Sequence, residues 1–293
     1  MTDPGTGGLP ARGPAAAAAP RPERPFRAGP DWPFHAAFVA LGGTYVLLVV
    51  ALLAADLFFT SPRHLLEALA KPEILFAVRL TLVTCTIAAL LSVVVAVPLA
   101  YLLSRHDFPG RRAVEAILDI PVVLPPLVLG LSLLILFHLP VGGVTLETLV
   151  QRGLGVRVAY TPVAVVLAQF VVACAFAVHS LQVTFDRIDP RAERVALTLG
   201  CRRDQAFRMV VLPQAWRGVV AAFTIAWARS LGEFGPILVF AGATRMRTEV
   251  LSTTVFLELS VGQLEAAVAV SLLMIAAAVV VLAVVRLLGG KVA

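Results

Sequence analysis

Arg229 and Glu233 stand four apart in an otherwise apolar run, and Gly232, Gly235 and Pro236 crowd the same segment. That spacing puts both charges on one face of a helix. At the centre of a bilayer an Arg or a carboxylate costs roughly 2.5–3.5 kcal/mol on insertion scales, so both are expected to face protein or water, and each other. Two chemistries suit them. One is a structural ion pair; the other is direct lining of a gate or pathway, where a guanidinium offers several hydrogen-bond donors. The two compete, since a paired Arg is not free to bind substrate.

Little else in the chain is equipped for chemistry. Cys85, Cys174 and Cys201 are far apart and match no zinc or redox spacing, and the five histidines are scattered. No metal site and no cofactor are expected on this chain. A glycine-rich phosphate loop ending in Gly-Lys-Ser/Thr is missing from the sequence, so the chain is not expected to bind ATP in the usual way. No catalytic constellation appears, and an enzyme is not the reading. Asp56 and Asp119 lie towards the ends of apolar stretches, while His138 and His179 are isolated; each is expected to be interfacial or internally bonded.

The elements that must carry these residues follow from composition. Hydrophobic residues make up 59% and charged ones 14% of 293 residues, with a mean hydropathy of +0.91. Soluble domains hold roughly 45–50% and 25%, so this is a membrane protein, and neither a disordered chain nor a coiled coil. The net charge of +6 is read as orientation and anionic-lipid contact rather than nucleic-acid binding. Six stretches approach the ~20 residues that cross a bilayer: 34–59, 77–103, 117–139, 161–182, 218–241 and 264–288. Their continuous Leu/Val/Ala text lacks the alternation of barrel strands. The expected fold is all-α, an integral membrane domain over 34–293. The third stretch holds Pro121, Pro125 and Pro126 and the fifth Gly232, Gly235 and Pro236, so both should bend.

Residues 1–33 carry eight prolines and an alanine tract, which predicts a disordered tail, and no signal-peptide core follows the start. On a six-span reading, sixteen Lys and Arg fall on the side of both termini and six on the other. The termini are therefore expected in the cytoplasm. No internal duplication is visible, so six helices could be half of a pathway.

The cytoplasmic loop 186–216 is charged yet patterned. Asp189-Pro190 is a helix start, and Ala192, Val195, Ala196 and Leu199 fall at i, i+3, i+4 and i+7. Gly200 ends this helix; Ala206, Phe207, Val210 and Val211 suggest a second, closed by Leu212-Pro213. So short a helix must bury its stripe, under its own bundle or in a partner's groove, and spacing leaves both open.

Here the sequence resembles the permease subunits of ATP-binding-cassette importers. Their loop motif reads EAA, three residues, G, nine residues, I, one residue, LP. Gly200, Val210, Leu212 and Pro213 occupy its last four fixed positions, while the EAA triplet aligns with Arg194-Val195-Ala196 and Glu193 sits one place early. Ser230-Leu231-Gly232-Glu233-Phe234-Gly235 with Phe240-Ala241-Gly242, and Leu124-Pro125-Pro126-Leu127-Val128-Leu129-Gly130, are similar to the molybdate, tungstate and sulfate branch.

The resemblance implies a type I importer fold with six transmembrane helices and a cytoplasmic coupling helix, in the cytoplasmic membrane of a prokaryote. It implies cytosolic ABC ATPase subunits, an extracytoplasmic substrate-binding protein and a second permease subunit, expected to be identical. The coupling set is then Glu193, Val195, Ala196, Leu199, Gly200, Phe207, Leu212 and Pro213. The pathway or gate set is Pro125, Pro126, Arg229, Gly232, Glu233 and Gly235. The implied function is oxyanion import, molybdate or tungstate first and sulfate next, by alternating access driven by a partner's ATP hydrolysis. The alternative is a stand-alone secondary transporter coupled through Arg229 and Glu233.

Overall fold

A computed structural model describes residues 32–59, 67 and 69–290. The expected disordered tail lies outside the described residues, except that Trp32 and Pro33 already belong to the first helix. That helix, α1, spans Trp32–Phe59 and is apolar on all sides, as a helix surrounded by lipid is.

The remaining helices follow in chain order. They are α2 (Pro72–Arg105), α3 (Arg111–Val123), α4 (Pro126–His138), α5 (Leu146–Leu154), α6 (Pro162–Arg187), α7 (Pro190–Thr198) and α8 (Arg203–Ala206). A π-helical turn at Phe207–Val211 leads into α9 (Leu212–Leu231), followed by α10 (Gly235–Phe240), α11 (Leu251–Ser260) and α12 (Leu264–Gly290). A two-stranded hairpin, β1 (Pro140–Val141) with β2 (Val144–Thr145), joins α4 to α5.

The core sits between α2, α6 and α9. Its seams are lined by small residues: Cys85, Ala89, Ala96 and Ala100 from α2, Ala173 and Ala177 from α6, and Ala215, Ala222 and Ala226 from α9. Lipid tails are as apolar as leucine, so membrane helices associate through close packing, which small side chains permit. The tightest approach is at Gly218, where an added Cβ would lie 2.2 Å from Thr184 Cγ2. Larger groups fill the ends: Leu181, Phe185 and Trp227 are buried, and Trp227 Nε1 donates to Thr86 Oγ1 at 3.3 Å.

Five helical stretches among the described residues are long and apolar enough to cross a membrane, and a sixth crossing requires α3 and α4 to act together. The third expected span is thus not one helix: α3 and α4 meet at a bend of 114°. The cause is local. Residues before proline are pushed out of the helical region, and Leu124 (ψ 139°) and Pro125 (ψ 133°) are both extended. The fifth expected span is also shifted. Its helix starts upstream, passing through α8 and the π turn, and stops at Leu231. The π turn precedes Pro213, which lacks the N–H for a regular helical bond; Leu212 N–H instead reaches back five residues to Phe207 O. Sequence periodicity gave no sign of the hairpin, of α5 or of α11.

Candidate functional site

The loop 186–216 folds onto the C-terminal end of α2. Asp189 caps α7, its side chain accepting from Arg191 N–H at 2.9 Å. At the other end Gly200 has φ +90°, Gly200 N–H donates to Leu197 O, and Cys201 N–H donates to Ala196 O. This is a left-handed terminator for which glycine is the default. Nothing lies within 4 Å of an added Cβ there, so backbone conformation alone imposes the residue.

Glu193 faces the bundle. Its carboxylate accepts from the Tyr101 hydroxyl and lies 3.8 Å from Arg105 Nε. Arg105 also donates to Ile188 O at 2.8 Å, and Ser104 to Asp186 at 2.5 Å. The Tyr101 ring packs edge-on against Phe207 and Phe185, with centroids at 4.8 and 5.8 Å. Thus Glu193, one place early by motif alignment, still finds polar partners on α2. The apolar stripe divides: Ala196 is buried, in a helix that packs on α8 and the π turn, whereas Val195 is 56% and Leu199 80% exposed. Phe207 packs inward, and Leu212-Pro213 opens α9. Tyr101 and Arg105 carry no loop signal in sequence, being the last turns of an apolar helix.

The second constellation is the break between α9 and α10. Arg229 Nη1 lies 2.7 Å from Glu233 Oε1, with the Arg side chain 33% exposed and the Glu side chain 1%. The guanidinium also sits 5.5 Å from the centre of the Phe176 ring, a cation–π distance. The backbone groups loosened at the break are taken up by neighbours. Gln169 of α6 donates to Ser230 O at 3.3 Å, and Ser252 of α11 donates to Glu233 O at 2.7 Å. Interrupted helices persist in membranes where such groups are re-satisfied.

The two glycine- and proline-rich motifs meet here. A Cβ on Gly130 would lie 2.8 Å from Pro236 Cα, and one on Gly235 would lie 2.8 Å from Pro126 Cβ and 3.0 Å from Leu127 N. Helices α4 and α10 therefore touch backbone to backbone. Gly232 is different: an added Cβ would meet only Arg229 O, at 3.8 Å. Pro125 is the corner between α3 and α4. Sequence reasoning missed Gln169, Ser252 and the contact role of Gly130. A lone amide in the apolar text of α6 was the one available signal.

The two isolated histidines are internally bonded. His179 Nε2 lies 3.0 Å from Asp119 Oδ1, and His138 Nδ1 lies 2.9 Å from Leu134 O. Beyond the break, outside the long apolar helices, Arg245 pairs with Glu258 at 2.9 Å. Burial pushes the neighbouring Glu249 carboxyl above the usual carboxylate range.

Residues 88–293 match the family described as binding-protein-dependent transport system inner membrane component. The chain is 32% identical to the sulfate transport system permease protein CysT of Salmonella typhimurium, over 81% of this chain and 84% of that protein. It is also 32% identical to the molybdate/tungstate transport system permease protein WtpB of Thermococcus kodakarensis, over 70% of this chain and 76% of that one. Among solved structures, a chain of the bacterial alginate ABC transporter in complex with its alginate pentasaccharide-bound periplasmic protein superposes with a TM-score of 0.69. That alignment is at 17% identity and covers 89% of this chain and 95% of the other. Family match and fold agree: the chain belongs to the binding-protein-dependent inner membrane components, the permease subunits of ABC importers with the type I fold.

Proposed function

We propose that this chain forms one half of an oxyanion import pathway, carrying molybdate or tungstate, with sulfate next, into a prokaryotic cytoplasm. Permeases of this family are non-catalytic, with ATP hydrolysis on a separate chain. Two copies of the chain surround the pathway, both termini of each are cytoplasmic, and an external binding protein delivers the anion. The names of its relatives support the class of anion and divide over its identity.

The carrying observation is the divided surface of α7. Glu193 ties the helix to α2 and Ala196 is buried, while Val195 and Leu199 leave an apolar pair exposed. A nine-residue helix is too short to hold alone in water. Here one side is anchored and the other is left for a groove in the ATPase, so closure of the ATPase pulls on the end of α2 through Glu193, Tyr101 and Arg105. The family match leaves a stand-alone ion-coupled transporter without support.

Val195→Glu and Leu199→Glu put a charge into that groove without touching a membrane helix. ATP-driven molybdate uptake by the reconstituted permease–ATPase complex should fall at least about tenfold, a loss of about 1.4 kcal/mol at the contact. Co-purified ATPase per permease should fall in parallel, at normal permease abundance. Normal uptake with a normal ratio in both variants would remove α7 as the ATPase contact.

A further inference from the structure

At the end of the bundle away from the 186–216 loop, two loops touch: residues 155–161, before α6, and residues 241–250, after α10. Tyr160 N–H donates to Phe240 O at 3.2 Å, and a Cβ on Gly242 would sit 3.5 Å from Tyr160 Cδ1. Each loop carries one non-glycine residue at positive φ, Tyr160 and Met246, both at +58°, and these are the only two among the described residues. Large side chains seldom adopt this conformation, and where they do the surroundings hold them there.

The surroundings here are explicit. Glu147 of α5 accepts from Val158 N–H at 2.8 Å and from Ala159 N–H at 3.2 Å, and the Thr161 hydroxyl donates to Val158 O at 2.6 Å. In the second loop a single carbonyl, Thr244 O, accepts from the N–H groups of Arg247, Thr248 and Glu249 at 3.1, 3.0 and 3.2 Å. Thr248 Oγ1 bonds both Thr244 N–H and Gly242 O at 3.1 Å. What these rigid tips present is apolar and basic. Tyr160 and Met246 are each 52% exposed, and Arg157 and Arg247 are exposed with no ion pair among the described residues. Arg245 is neutralised by Glu258.

We propose that Tyr160 and Met246, flanked by Arg157 and Arg247, form a preorganised knob that docks an acidic, apolar-centred surface of the external binding protein. The proposal rests on the importer reading above. Aromatic residues, Met and Arg are enriched at the centres of protein interfaces. Tips already held in their bound shape spare the ordering that docking otherwise costs. A free oxyanion would need converging donors in a cleft and has no use for an exposed ring and thioether.

The test uses the permease–ATPase complex in nanodiscs and a purified molybdate-binding protein from the same organism, loaded with molybdate. Arg157→Glu and Arg247→Glu should weaken its binding at least about tenfold, mainly through slower association that depends on salt. Tyr160→Gly and Met246→Gly should weaken it about fivefold at an unchanged melting midpoint, because glycine takes positive φ freely. Should either glycine variant fold poorly, Tyr160→Asn and Met246→Asn, also at home at positive φ, repeat the measurement. Wild-type affinity in all the folded variants overturns the knob. So does unchanged affinity with a raised apparent KM for molybdate, which would make this an anion mouth. If the wild-type complex itself neither binds nor responds to the binding protein, the importer reading fails instead.

Discussion

Arg229 and Glu233 do not stand equal in their pair. Glu233 is almost wholly enclosed, whereas Arg229 keeps a third of its side chain exposed and leans on Phe176. Removing the Arg therefore strands a buried carboxylate, while removing the Glu leaves a partly exposed cation that keeps the Phe176 ring. Arg229→Gln is expected to destabilise on the order of 3 kcal/mol, the lower end for a broken buried pair because Arg229 is partly exposed. Glu233→Gln should cost clearly less, and the double variant less than the sum; thermal unfolding of the four proteins in detergent measures this, and simple additivity would dissolve the pair. The pairing was legible from spacing alone, since i,i+4 charges in apolar text have few other partners. The asymmetry was not, because it depends on Phe176 and on how far each side chain sits from the surface.

The contact between α4 and α10 is governed by absent side chains. Gly130→Ala and Gly235→Ala each drive a methyl to within 3 Å of backbone or proline atoms on the other helix, where small-to-large changes cost about 1–3 kcal/mol. For a chain of this size that is a fall of about 2–4 °C in melting midpoint per kcal/mol. Gly232→Ala, with an ordinary 3.8 Å contact, should leave the midpoint unchanged. Equal effects at all three glycines would mean that flexibility, and not close approach, sets the requirement. The helices themselves could be read from apolar runs and the bends from prolines, and the loop helix α7 from its Asp-Pro start and its glycine stop. That the two motifs were halves of one contact could not be read, because 105 positions separate Gly130 from Gly235 and neither run states its partner.

At the scale of the whole chain, orientation rests on the distribution of Lys and Arg, with Arg203 in the loop that folds under α2 and Arg247 in the loop beyond α10. Single cysteines at these two positions, in a background lacking Cys85, Cys174 and Cys201, should label from opposite faces of the membrane. Labelling of both by an impermeant reagent in intact cells would overturn the topology. The positive-inside count needs only the helix ends, whereas the loops that touch at Tyr160 and Gly242 come from distant segments, and their contact has no signal in sequence. The bend between α3 and α4 also bears on how the protein is made. Helix α4 has 13 residues, about 20 Å of rise, against a hydrocarbon layer of about 30 Å. Its glycine face meets α10, which a ribosome adding roughly 5–20 residues per second delivers only some 5–20 seconds later. During that interval the young chain holds a short, proline-cornered segment in lipid with its docking surface unclaimed. A quality-control protease or an insertase able to shelter one half-length helix would find its substrate in that window.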